Sequence, residues 1–278
     1  MNASRLGTVW VLAKREIRSS LYGYGIYLAV LISQVIASFV LINYLRAVTR
    51  DGMLITASPL AYPLFIATAV CAIYLALAAV TSISREKDMQ TLEVLFYGPV
   101  DYVVYILAKY IKGLLSYGFI VLFFAVYFAA VSMVCNLGIS AKFWGVILLS
   151  LFLSSCVITF GIFVSTLSRS VRTSVVLFLG IVGALVAVQV IHGTLTQVEE
   201  AGLSLPVVYL RNTLGIINSA VKWVSPFYYL NEGMEAVSIG SFTKYALSGG
   251  ASLVYSAAAL LLSTLVLKRK GVRKSGGM

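Results

Sequence analysis

Six stretches of this 278-residue chain contain no Asp, Glu, Lys or Arg: Ser19–Leu45, Leu54–Ser84, Gly113–Ala141, Phe143–Ser168, Thr173–Val198 and Tyr245–Leu267. A helix that crosses the hydrocarbon core of a bilayer needs roughly 20 mostly apolar residues, and the shortest of these stretches has 23. A helix packed on a soluble domain must keep a polar face toward water, so charge-free runs of this length exclude an ordinary soluble fold. The chain reads as an all-α integral membrane protein with one membrane domain over residues 1–278. Its spans are expected at roughly 24–45, 60–83, 108–134, 143–167, 174–194 and 246–267. The 11% charged content, against about 25% in ordinary globular chains, agrees.

The first apolar run is far longer than the roughly 7–15-residue core of a removable signal, and no convincing small-residue cleavage site follows it. Cys71, Cys135 and Cys156 are three in number, widely spaced and all in apolar runs. They fit neither a disulfide framework nor a metal site and read as packing residues.

If the amino terminus is cytoplasmic and all six runs cross, 15 of the 21 lysines and arginines fall inside and six outside (Arg46, Arg50, Lys142, Arg211, Lys222 and Lys244). That is the bias the positive-inside rule requires, and it puts both termini in the cytoplasm of a multi-pass cell-membrane protein. The net charge of +11 is then a topology signal and an attraction to anionic lipid, not a nucleic-acid-binding surface, which would need a solvent-facing basic domain.

Two connections are long, a cytoplasmic one around 85–112 and an external one around 199–244. Residues 201–227 could pass for a seventh span, but they carry Arg211, Lys222 and Ser225-Pro226. A further crossing would also put the Lys268–Lys274 cluster outside, against the charge rule. This part reads as one or two short helices at the outer surface.

Ahead of the first span, Leu6, Trp10, Ala13, Ile17 and Leu21 recur at helical spacing, with Arg5, Lys14, Arg15, Glu16 and Arg18 largely on the other side. Such a helix lies in the membrane interface, with Trp10 toward lipid and Lys14, Arg15 and Arg18 toward anionic headgroups. The alternative is a plain cytoplasmic extension of the first span.

The connection Ser84–Asp101 carries the most specific pattern. Met89, Leu92, Leu95 and Phe96 share a helical face, with Glu86, Asp88, Gln90 and Glu93 around it, and the helix should stop near Gly98-Pro99 because proline cannot continue one from within. Lys87 reads as a solvated position. Either the apolar face seats in a groove of a cytoplasmic partner, or it covers the inner ends of its own bundle; the periodicity allows both.

Glu86-x-x-x-x-Thr91-Leu92-Glu93-x-Leu95, then Pro99-Val100, then Lys109, resembles the first cytoplasmic loop of ABC-2-type transporter permeases. The amphipathic amino-terminal helix, Gly161–Ser168 followed by Arg169 and Arg172, and Ser225-Pro226-Phe227 are similar to that family too. The resemblance implies that this loop is a coupling helix docking on an ATP-hydrolysing subunit through Glu86, Asp88, Thr91, Leu92, Glu93, Leu95 and Pro99. It further implies a permease working as two copies or two related chains. The chain departs from the family at Gln90 and at Ala108, where glycine is usual or frequent. No Gly-x-x-x-x-Gly-Lys-Ser/Thr phosphate loop occurs. ATP and Mg are therefore expected on the partner ATPase, with no cofactor in this chain.

The other polar positions have plainer readings. His192, the single histidine, and Gln34 fit packing at helix interfaces, and Glu199, Glu200, Glu232 and Glu235 fit solvated loops. Two other classes stay open. A secondary carrier or channel normally places ionisable residues in the membrane, which six charge-free spans do not. A membrane-embedded enzyme would need a catalytic constellation, and neither HExxH nor GxSxG is present. The leading expectation is an ATP-driven exporter or flippase.

Overall fold

In lipid, backbone N–H and C=O groups have no solvent to bond, so a spanning segment must satisfy them internally. The regular structure among the described residues is accordingly α-helical throughout. The computed structural model describes residues 3–51, 59–97, 100–197 and 205–270. In chain order the helices are α1 (Ala3–Leu21), α2 (Tyr24–Asp51), α3 (Ala61–Asp88), α4 (Thr91–Tyr97), α5 (Tyr102–Val134), α6 (Ala141–Leu167), α7 (Val171–Gln197), α8 (Leu205–Val224), α9 (Pro226–Ile239) and α10 (Phe242–Lys270). Among the described residues, six are long and apolar enough to cross a membrane: α2, α3, α5, α6, α7 and α10.

The third of these starts at Tyr102 rather than near residue 108. Asp101 stands before it in an extended conformation (φ −76°, ψ 151°), and the uncharged run Tyr102–Leu107 continues the helix back toward the α3–α5 connection. The 33 residues of α5 reach roughly 50 Å at 1.5 Å each, well beyond the ~30 Å core. Its first turns are therefore free to pack against α1, where Val9 and Ala13 meet Val104 and Ala108 in one buried cluster. Alanine at 108 leaves room for that approach.

The central helix is α6, buried over most of its surface because α3, α5, α7, α9 and α10 all pack on it. Its backbone comes close to that of α3: a Cβ on Gly161 would lie 2.8 Å from the Ala76 carbonyl oxygen, so only glycine fits. Hydroxyls on α6 mostly bond back along the helix, as Thr159 Oγ1 does to the Ser155 and Cys156 carbonyls. Ser155 crosses to other helices, donating to Ser256 Oγ on α10 at 2.9 Å and meeting Tyr110 OH of α5 at 2.7 Å. These contacts let helices approach without leaving buried polar atoms unpaired. By contrast α2, α7 and α10 turn much apolar surface outward, as lipid-facing helices must; Phe39, Leu179 and Val254 are examples.

Between α8 and α9, Ser225 is extended (φ −79°, ψ 115°) and Pro226 opens α9, a position where proline's missing N–H costs nothing. The break therefore falls at Ser225-Pro226. At 20 residues α8 is longer than the short helix expected there, but it carries Arg211 and Lys222 and is not among the six spanning candidates. His192 Nδ1 of α7 lies 3.4 Å from Asn218 Nδ2 of α8, an interface contact. Cys71 and Cys156 are buried thiols, whereas Cys135 is exposed just past α5.

Candidate functional site

The Ser84–Asp101 connection breaks at Met89-Gln90. Helix α3 runs on through Asp88; the Met89 N–H donates to the Arg85 carbonyl at 3.0 Å and the Gln90 N–H to that of Lys87 at 3.2 Å, and Gln90 takes a left-handed backbone with φ 57°. A side chain in this region is disfavoured and glycine is not, which gives a physical reason for glycine at this position in the family the loop resembles. Helix α4 then starts at Thr91, whose hydroxyl donates to the Glu86 carbonyl at 3.3 Å.

This kink splits the apolar face expected from the sequence. Leu92 is buried, 6% exposed, and Leu95 and Phe96 pack on the same core. The Phe96 ring lies 4.5 Å from that of Tyr102 and 5.6 Å from that of Tyr105, centroid to centroid. Met89, by contrast, is 59% exposed because it caps α3 instead of continuing α4. Of the two readings left open by periodicity, Leu92, Leu95 and Phe96 follow the second and cover their own bundle. Asp88, Met89, Glu93, Val94 and Tyr97 stand exposed on the other side. Gly98 and Pro99, where the helix was expected to stop, lie outside the described residues.

Below this kink the end of α3 is bonded to four other helices. Glu86 turns inward: one carboxylate oxygen accepts from Lys109 Nζ at 2.5 Å, the other from Tyr105 OH at 2.6 Å, both on α5. Lys109 also pairs with Glu16 of α1 at 2.5 Å, and Lys112 lies 3.6 Å from the second oxygen of Glu16. Lys109 is only 5% exposed, and the two flanking carboxylates supply the pairing that a buried cation needs. Lys87 is not solvated: its ammonium donates to the carbonyls of Thr166 (2.6 Å), Ser168 (3.0 Å) and Ser165 (3.5 Å), capping the carboxyl end of α6, where the helix dipole favours a cation. One turn back, Ser165 Oγ of α6 accepts from the Ile83 and Ser84 N–H groups, and Ser174 Oγ of α7 donates to the Val80 carbonyl at 2.8 Å.

Glu86, Asp88, Thr91, Leu92, Glu93 and Leu95 thus meet in one joint, with Glu86, Leu92 and Leu95 facing in and Asp88 and Glu93 facing out. On α1, Trp10, Lys14, Arg15 and Arg18 are exposed, and the Arg18 guanidinium sits 5.8 Å over the Tyr22 ring. Glu16, grouped by periodicity with the polar side, instead faces Lys109. Sequence reading missed Glu16, Lys87 and Tyr105 as structural partners. The available signal was two lysines, Lys109 and Lys112, at the mouth of an otherwise apolar span, since buried cations require carboxylates nearby. A cavity of about 220 Å³ remains beneath α4, lined by Leu12, Arg15, Glu16, Glu86, Leu95 and Tyr105 among others. Charge-assisted bonds are short and directional, and together with the hydroxyl contacts they tie the end of α3 to α5, α6 and α7, and through Lys109 to α1.

A family model described as "ABC-2 family transporter protein" matches residues 10–272, and no curated protein matches the chain. The matched range takes in all six spanning helices and the joint between α3 and α4. The chain therefore belongs to the ABC-2 transporter family, as a membrane-spanning permease.

Proposed function

We propose that this permease exports its substrate, or flips it between leaflets, with energy from a separate ATP-hydrolysing subunit that binds ATP and Mg and docks on the outward face of α4. One observation carries the docking assignment. Helix α4 is anchored from within by Leu92, Leu95 and Phe96, while three large apolar side chains, Met89, Val94 and Tyr97, stand exposed beside Asp88 and Glu93. An apolar cluster rimmed by charge is the usual form of a protein contact. Its attachment through Glu86 and Lys87 supplies a route for force into the bundle. The 15-to-6 division of basic residues supports cytoplasmic termini and puts α4 on the cytoplasmic side, within reach of an ATPase. Membership of the family supports assembly as two permease copies or two related chains.

Val94→Asp combined with Tyr97→Asp should abolish co-purification with the ATPase while leaving the permease inserted and its melting temperature unchanged. Leu92→Asp should instead destabilise the permease itself, because the charge enters its own core. If the Val94/Tyr97 variant retains ATPase binding, the outward face is not the contact. Transport by purified permease alone, driven by an ion gradient, would refute the ATP-driven reading altogether.

A further inference from the structure

Between α1, α3 and α5, beside the joint, a crevice of about 480 Å³ opens on the side that the basic residues mark as cytoplasmic. Four cations line it, Arg15, Arg85, Lys109 and Lys112, together with two carboxylates, Glu16 and Glu86. Both carboxylates are engaged by Lys109 at 2.5 Å, and Glu16 by Lys112 at 3.6 Å. Arg15 and Arg85 are exposed and have no ion-pair partner among the described residues. Four cations less two carboxylates leave the lining with a charge of +2. Past Ser82, Lys109 and Lys112 the crevice leads to a void of about 30 Å³ between α3, α5 and α6. There Ser116 Oγ is buried without a hydrogen-bond partner among the described residues.

The geometry points to this crevice as a binding site for the phosphate of an anionic phospholipid from the inner leaflet, held by Arg15, Arg85 and Lys112. Guanidinium groups match phosphate oxygens in a bidentate fork, and two of them here lack an anion. The depth is right for a lipid: Tyr22 and Tyr24, 76% and 91% exposed just beyond α1, mark the interface at which amphipathic rings sit. The inner void is too small for an acyl chain, so the tails stay in the bilayer. Leu115 and Phe119, exposed three and seven residues beyond Lys112 on α5, offer them a surface on the same helical face. Because Glu86 and Met89 also line the crevice, its occupant touches the root of α4. The assignment does not depend on the ATPase reading.

The test uses the full chain in nanodiscs of phosphatidylcholine, titrated with phosphatidylglycerol or with inorganic phosphate, with bound ligand counted by native mass spectrometry. Phosphatidylglycerol should bind at least tenfold more tightly than phosphatidylcholine. Arg15→Gln with Arg85→Gln should remove that preference, and both side chains are exposed, so folding is not at stake. Arg169→Gln with Arg172→Gln, an equal loss of charge on the exposed α6–α7 turn, should leave it intact. Equal losses in both double variants would mean diffuse attraction and overturn the site, as would equal binding of the two lipids. Inorganic phosphate binding as tightly as phosphatidylglycerol, and lost in the crevice variant alone, would keep the oxyanion site but overturn its assignment to lipid.

Discussion

Lys109→Met tests whether the ion cluster under α4 holds that end of the bundle together. Each Lys109–carboxylate pair, at 2.5 Å, has a gross attraction of roughly 7 kcal/mol at an effective dielectric constant of about 20. Most of this is offset by the desolvation of the ions. Removing one partner exposes that balance, because Glu86 loses its cation and Glu16 keeps only the longer 3.6 Å contact with Lys112; such losses cost about 3–5 kcal/mol. The two carboxylates keep 21% and 28% exposure, so water relieves part of the penalty and the low end, about 3 kcal/mol, is expected. At about 2–4 °C per kcal/mol for a chain approaching this size, the melting temperature should fall by roughly 6–12 °C, read by intrinsic fluorescence in detergent. Adding Glu16→Gln and Glu86→Gln to Lys109→Met removes the stranded charges and should recover at least half of the loss. A single variant melting within about 2 °C of the parent, or a triple variant no more stable than the single, would refute the reasoning.

Three further outcomes follow from the same geometry. Gln90→Gly should preserve or raise stability by up to about 1 kcal/mol, since it relieves the left-handed backbone at some cost in chain entropy; Gln90→Val should lower it by about 1–2 kcal/mol, and chemical denaturation compares the two. Lys87→Gln, which a reading of position 87 as solvated would make neutral, should cost about 1–3 kcal/mol by losing a charged cap on α6, again measured by denaturation. In a background without native cysteines, Asp88→Cys, Ser170→Cys and Ser275→Cys should react with an impermeant thiol reagent only from the cytoplasm, and Arg50→Cys and Asn212→Cys only from outside. Labelling of positions 212 and 275 from one side would overturn the six-span topology.

The membrane architecture was legible in the sequence because its cause is one-dimensional. Charge cannot be left in hydrocarbon, so the interruptions at Arg85–Lys87, Lys142 and Arg169–Arg172 delimit the spans whatever the helices pack against. Pro226 likewise breaks the external segment through its own covalent geometry. Which helix is central was not legible: α6 and α7 each carry a single charge, Lys142 and Arg172, in the first turn and none beyond it, yet α6 is enclosed and α7 faces outward, a difference set by neighbours. The joint under α4 divides the same way. The amphipathic spacing of Leu92, Leu95 and Phe96 marked a buried face but could not name what buries it, and Met89 left that face only because Gln90 adopts a left-handed turn. Glu16, Glu86 and Lys109 are separated by 70 and 23 residues along the chain. Only the tertiary structure brings them together, because burial of Lys109 makes its charge unaffordable without both carboxylates.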